Sequence, residues 1–178
     1  MEFKTDLKAQ HNIIEDGLKL FEILHGFKAR LFVPPNGPIN NELEKTAADN
    51  EIKYMSSPKI QTEVFGDGKT QKHIRYIGKQ NQYRQIYITR NAFFEPSASK
   101  KDSVRSCLNE IELAFKFNKP AVISSHRVNY IGVHDQANRT NSHKQLKELL
   151  GKITQKWPEV EFMTSSELGQ TIKESKHA

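Results

Sequence analysis

The amino-acid sequence predicts an α/β fold of about five parallel strands interleaved with helices, carrying one inserted β-hairpin near residues 59–78. Three observations carry this reading. Helix and strand signals alternate along nearly the whole chain, and such alternation implies a parallel sheet with helices on its faces. The run 121–125, Ala-Val-Ile-Ser-Ser, is short, β-prone and uncharged, which suits a strand covered on both faces. Gly66-Asp67-Gly68 separates two alternating segments and is a strong turn signal. Five parallel strands fit either an open doubly wound sheet or part of a barrel. The 178 residues suffice for one domain with its own core, expected to span 1–178.

In chain order, Ile14, Leu18, Phe21 and Leu24 share one helical face, and Gly26 offers a stop. Residues 29–33 read as a strand ended by Pro34 and Pro35, which cannot continue a central ladder. A helix is expected over 41–50 and a short strand over 52–55. The hairpin arms are 59–65 and 72–77, and a strand resumes at 85–89. Asp102 or Ser103 can cap a helix running to Lys116, with Val104, Leu108, Ile111 and Phe115 at helical spacing. Pro120 opens the 121–125 strand, and a loop runs from 126 to 141. Leu146, Leu149, Leu150 and Ile153 mark another helix, ended at Trp157-Pro158. Residues 160–163 read as a last strand. Thr164 and Glu167 have capping-box spacing for a final helix over 166–174.

Composition narrows the function classes. No apolar run approaches the ~18–20 residues that span a bilayer, and residues 1–10 are polar, without a signal-peptide core. Cytoplasm is the default compartment, and no membrane partner is expected. One cysteine, Cys107, excludes an internal disulfide and a cysteine zinc cluster; its apolar neighbours mark it as a small buried hydrophobe. The seven histidines show no i, i+3 or i, i+4 pair, so no metal ligands are assigned, although His126 and His134 could converge through their loop. The net charge of +6 suits an anionic partner. Lys69, Lys72, His73, Arg75, Lys79, Arg84 and Arg90 are densest, interleaved with Tyr76, Tyr83 and Tyr87. Because the basic residues spread over most of the chain, nucleic acid is not the expected partner.

In parallel α/β folds, ligands bind at the C-terminal strand ends. That rule selects Pro34, Pro35 and Asn36; Arg90 and Asn91 with Phe93, Phe94 and Glu95; and His126, Arg127 and Asn129. An imidazole at such an end can act as general acid or base, or can merely bond a backbone carbonyl. Arg127 and Asn129 supply donors for an oxyanion, a carboxylate or sugar hydroxyls. Arg90 needs a partner, and Glu95 is the local candidate.

Phe32-Val33-Pro34-Pro35-Asn36-Gly37 resembles the proline motif of the polysaccharide deacetylase (NodB-homology) family, and Val122-Ile123-Ser124-Ser125-His126 resembles its histidine-ending strand. The stretch from Pro120 through 157–163 to Leu168 is similar to deacetylase-like proteins of the glycoside hydrolase/deacetylase superfamily, as are Ile88-Thr89-Arg90-Asn91 and Phe93-Phe94-Glu95-Pro96. The resemblance implies a partial (β/α) barrel and removal of an acyl group from a carbohydrate. It implies His126 as general acid and Arg90 as the counterpart of the arginine that tunes that family's catalytic aspartate. Pro34, Pro35, Asn36, Asn91, Phe94, Glu95, Arg127 and Asn129 would bind substrate. The paired aspartates and the H-x₃-H metal ligands of that family find no match here, and Asn36 replaces its aromatic residue. The chain is therefore expected to match the C-terminal two-thirds of such a domain and to hold a divalent metal only if those motifs are supplied. It would be inactive alone and would self-associate through an open barrel edge. The alternatives are a non-catalytic carbohydrate-binding module using the same rim, and a nucleic-acid-binding protein using the basic 69–90 stretch.

Overall fold

A computed structural model describes residues 5–98, 102–133 and 135–175. The chain comprises two compact units, Met1–Thr89 with Met163–Ala178, and Arg90–Phe162.

In the first unit, helix α1 (Asp6–His25) leads to strand β1 (Leu31–Phe32), then to helix α2 (Glu42–Asp49) and strand β2 (Tyr54–Ser57). Strands β3 (Ile60–Gly66) and β4 (Lys69–Ile74) follow, then β5 (Ile86–Thr89); a terminal helix spans Ser165–Ser175. The parallel sheet has the order β1-β2-β5, with Leu31 beside Tyr54 and Tyr54 beside Ile86. All four residues of β5 are buried. Ile39, Leu43, Ala47, Ile52, Met55 and Tyr87 form the core, covered by Leu7, Ile14 and Leu18 of α1. Parallel neighbours need a long crossover. Between β1 and β2 that crossover holds α2, but between β2 and β5 it holds the β3–β4 hairpin. The terminal helix starts at the capping box its spacing predicts: the Thr164 N–H donates to Glu167 Oε2 at 2.7 Å and the Glu167 N–H to Thr164 Oγ1 at 3.3 Å. Hydrogen bonding of the Glu167 carboxylate to the Thr164 backbone N–H, and then to the Thr164 side chain, holds it below the usual carboxylate range. A Cβ at Gly169 would lie 2.3 Å from Tyr54 Cε1, so only glycine lets this helix approach β2.

In the second unit, β6 (Ala92–Phe93) and β7 (Ile123–Ser124) pair in parallel over two residues. Helix α3 (Ser103–Lys116) is capped by Asp102, whose carboxylate accepts the Arg105 N–H at 2.9 Å. A 3₁₀ turn (Arg127–Tyr130) precedes helix α4 (Gln136–Lys156). Ala92, Phe94, Val104, Cys107, Ile111, Leu149 and Ile153 make its core, and Phe115 meets Trp157 edge-on at 5.1 Å.

The near-barrel of five parallel strands is not what forms. Among the described residues, parallel pairing stops at three strands in one unit and at one two-residue pair in the other. The physical reason at the second site is Asn91. Its Oδ1 accepts the Val122 N–H at 2.7 Å and its Nδ2 donates to the Pro120 carbonyl at 2.9 Å, so a side chain occupies the ladder positions a neighbouring strand would use. The 121–125 strand shrinks to Ile123–Ser124, and Ile123 is 38% exposed rather than covered on both faces. The expected strand at 160–163 is irregular; the Val160 N–H turns back to the Trp157 carbonyl at 3.0 Å. Without a barrel wall, self-association through its open edge loses its premise. The expected hairpin does form, as an antiparallel pair. Among the described residues no helix is long and apolar enough to cross a membrane.

Two outcomes test this packing. Gly169→Ala should cost about 1–3 kcal/mol of unfolding free energy in urea, because the overpacked methyl meets a buried ring. Burial pushes the Cys107 thiol up to about 12, whereas an unfolded thiol titrates near ~8.5. The unfolded chain therefore sheds this proton first. The stabilisation is complete below about pH 8.5 and declines as pH rises from there. Denaturation between about pH 8.5 and 10 should show this slope, and Cys107→Ala should lose it.

Candidate nucleic-acid interface

The hairpin is built by local chemistry. Asp67 and Gly68 both have positive φ, 53° and 72°, the signature of a type I′ turn, whose twist matches that of paired strands. The register runs Ile60 with Ile74, Gln61 with His73, Thr62 with Lys72, Glu63 with Gln71 and Val64 with Thr70, and shifts between Val64 and Gly66. Directly opposed residues share a face. One face therefore carries Gln61, Glu63, Gln71 and His73, and the other Ile60, Thr62, Val64, Thr70, Lys72 and Ile74.

The polar face points inward. Arg75 and Glu44 are both almost fully buried. The Arg75 Nε–H donates to Gln61 Oε1 at 2.8 Å, and its Nη2 donates to Asn41 Oδ1 at 3.2 Å and lies 3.7 Å from Glu44 Oε1. The guanidinium sits 4.4 Å from the Tyr87 ring centroid. The Tyr87 hydroxyl donates to Glu44 Oε1 at 2.5 Å, and Asn81 Nδ2 donates to Glu44 Oε2 at 2.9 Å. Burial, and then the Glu44 carboxylate, drive the Tyr87 phenol far above its ordinary value. Further out, Glu63 Oε2 accepts from Asn41 Nδ2 at 2.9 Å and lies 2.6 Å from His73 Nε2. This network joins the hairpin to α2 and β5.

The opposite face meets solvent. Thr70 and Lys72 are exposed on it, as are Lys69 and Gln71 of the other face near the hairpin's tip; Ile60 and Ile74, a direct pair, are 61% and 74% exposed. Tyr76 is exposed, with Lys79 Nζ 5.6 Å from its ring centroid and donating to the Ile74 carbonyl at 2.9 Å. Arg84 is exposed on the following turn. One edge of β3 is met by the Ile39 N–H, which donates to the Thr62 carbonyl, and by Asn40 Nδ2, which donates to the Val64 carbonyl. The result is a stiff, basic, partly apolar two-stranded ribbon. Such a ribbon fits a major groove, and its lysines suit phosphates.

The residues expected at strand ends divide between the units. In the second unit His126, Glu95 and Asn129 do meet. His126 Nδ1 lies 2.7 Å from Glu95 Oε1, which also accepts the His126 backbone N–H at 3.1 Å; Asn129 Nδ2 donates to Glu95 Oε2 at 2.7 Å. Asn129 is fully buried and braces the loop; Arg127 is exposed. Glu95 thus pairs with His126, while the Arg90 Nη1 donates to Ser124 Oγ at 3.2 Å. Asn91 holds backbone, and Phe94 is fully buried core. Pro34, Pro35 and Asn36 belong to the first unit and line a cleft of about 820 Å³ with Phe21, Phe27 and Phe32. His134 lies outside the described residues. Among the described residues no group of three or more His, Cys, Asp or Glu is placed to hold a metal ion.

Of the basic 69–90 stretch, Arg75 is buried structure and His73 faces Glu63, so Lys69, Lys72, Lys79 and Arg84 remain at the surface. Glu44, Asn41 and Gln61 went unmarked in the sequence reading. For Gln61 the signal is alternation with Ile60, Thr62 and Val64, which does not say which face is inward; Asn41 and Glu44 sit at the start of α2 and carry no such signal.

Glu44→Ala should cost about 3–5 kcal/mol in chemical denaturation, since it strands the buried Arg75 charge. Tyr87→Phe should cost less, and the double variant should be non-additive.

The family model described as "ScoMcrA-like, SRA domain" matches residues 41–167, a span that includes α2, the hairpin and all of the second unit. No curated protein and no solved structure matches the sequence. The family match overturns the polysaccharide deacetylase resemblance, and with it the hydrolase reading, the carbohydrate partner and the case against nucleic acid. The proline and histidine motifs that suggested it are short, and the structure puts them in separate units with Asn129 and Asn91 doing backbone work. Over more than two thirds of its length the chain matches one family, and it belongs to the ScoMcrA-like SRA domains.

Proposed function

We propose that this chain is a duplex-DNA-binding domain that discriminates a modified cytosine. Membership of the SRA (SET and RING-associated) family supports both halves of that reading. The observation that carries the placement is the β3–β4 ribbon, whose inner face is locked by Arg75 and Glu44 and whose outer strand exposes Lys69 and Lys72. A rigid basic ribbon spends little ordering entropy on binding, and lysines at phosphates act by counterion release. Lys79 and Arg84 extend the charge beyond the ribbon. Lysines on an edge strand also discourage strand pairing with other chains, so the same residues keep the ribbon free for its ligand.

Fluorescence anisotropy with a labelled duplex tests the reading. Binding should weaken steeply with salt, and Lys69→Ala and Lys72→Ala should each reduce the log–log salt slope by about 1, uniformly across sequences. A duplex carrying 5-methylcytosine should bind more tightly than its unmodified counterpart at the same salt. Equal affinities would overturn the discrimination, and no binding at low salt would overturn the DNA reading.

A further inference from the structure

We propose that α1 is a dimerisation helix, pairing antiparallel with α1 of a second copy of this chain. The pairing does not rest on the DNA-binding reading. It uses a helix face rather than the strand edge of the barrel reading, and α1 precedes residues 41–167, the span matched to the SRA family.

α1 is apolar on two sides. Leu7, Ile14 and Leu18 turn to the core of the first unit. A second stripe turns to solvent: Ile13, Leu20 and Leu24 are 68%, 55% and 68% exposed, and Gly17 is exposed among them. From 13 to 17, 20 and 24 the steps are four, three and four residues, the repeat of a coiled-coil seam. Phe27 extends the stripe past the helix end and meets the Phe21 ring edge-on at 5.5 Å. No residue of α1 is buried, whereas a helix apolar on both sides belongs between two packing partners.

Gly17 says how closely the partner approaches. Glycine inside a helix is less stable than alanine, and a Cβ at Gly17 would meet nothing within 4 Å. Nothing among the described residues therefore calls for glycine there. A second helix would, because glycine lets another backbone come close. In a two-fold dimer each contact occurs twice, residue i on j and j on i. With the axis passing between residues 18 and 19, Ile13 meets Leu24 of the second copy, and Leu20 fills the notch at its Gly17. A parallel pair would set Gly17 on Gly17, leave a gap there, and align the two helix dipoles unfavourably.

Charge and area favour a second copy over other partners. The stripe itself carries no charge, and at its rim Asp16 and Lys19 lie 3.9 Å apart. α1 sets Asp6, Glu15, Asp16 and Glu22 against Lys8 and Lys19. It is an acidic segment in a basic chain, which disfavours a nucleic acid or an anionic lipid surface. Burying one large apolar side chain removes on the order of 100 Å². Ile13, Leu20, Ile23, Leu24 and Phe27, all more than half exposed, supply on the order of 1,000 Å² from two copies. That is the lower bound for a specific interface, so the dissociation constant should be on the order of micromolar.

Sedimentation velocity of the full chain without DNA, at concentrations bracketing the micromolar range, tests the pairing. The wild type should pass from monomer to dimer. Leu20→Glu changes an exposed side chain, so it should keep the thermal midpoint of the wild-type monomer and stay monomeric throughout. Gly17→Leu has room in the monomer and should weaken the dimer at least about tenfold by filling the notch. Oxidation reads the register, since Cys107 is buried. Ile13→Cys/Leu24→Cys should give an intermolecular disulfide. Ile13→Cys alone should not, because the two copies of position 13 lie about 16 Å apart along the helices. A chain that stays monomeric, or a dimer that survives Leu20→Glu, overturns the pairing; a crosslink through Ile13→Cys alone overturns its antiparallel sense. None of these measurements contains DNA, so the dimer and the DNA-binding reading fail separately.

Discussion

The buried contact between Arg75 and Glu44 is the constraint on which the first unit depends. A guanidinium and a carboxylate are both removed from water, and such a pair repays its desolvation only when every remaining donor and acceptor is satisfied. Here Gln61, Asn41, Asn81 and Tyr87 provide those partners. Each comes from a different segment, so the pair fixes α2, the hairpin, the 75–85 connection and β5 at once. Among the described residues the buried Gln61 Nε2 has no hydrogen-bond partner. An apolar core could hold the sheet, but it would not fix the hairpin's angle so narrowly, because apolar contacts are non-directional and hydrogen bonds are not.

That network explains the surface. With Gln61, Glu63 and His73 turned inward, the alternation of the strands sends Ile60, Ile74 and Lys72 outward. The ribbon's basic, partly apolar outer face is thus the direct consequence of a polar inner one. In the second unit Asn129 plays a related part. One buried amide gathers Glu95, Ser97 and His126, and the residues between its contacts are left projecting. In both units a buried polar group shapes an exposed surface that apolar packing alone would have folded away.

Much of the local structure was legible. The Asp-Gly turn, the Thr164–Glu167 capping box, the Asp102 cap and the apolar spacing of α3 and α4 all act over a few residues, and the structure shows each one. The pairing of strands was not legible, and the barrel reading failed there. Residues 121–125 and 160–163 have strand-like composition, yet Asn91 caps the backbone beside the first, and the turn after Trp157 keeps the second irregular. The family resemblance drawn from short motifs failed for a related reason. Pro34-Pro35 and His126 are compatible with many surroundings, whereas the family match rests on the span 41–167.

By itself the sequence determined the helices, the hairpin and its turn, the buried thiol and the excess of positive charge, because each depends on near neighbours or on composition. Only the tertiary structure decided which hairpin face looks inward, that Arg75 is structural while Lys69 and Lys72 are free, and that Glu95 belongs to His126 and Asn129 rather than to Arg90. Those outcomes rest on contacts between residues far apart in the chain, such as Glu44 with Tyr87 and Glu95 with Asn129. Alternation marks two faces without naming the inner one, and the choice falls to whichever face finds partners for its buried polar atoms.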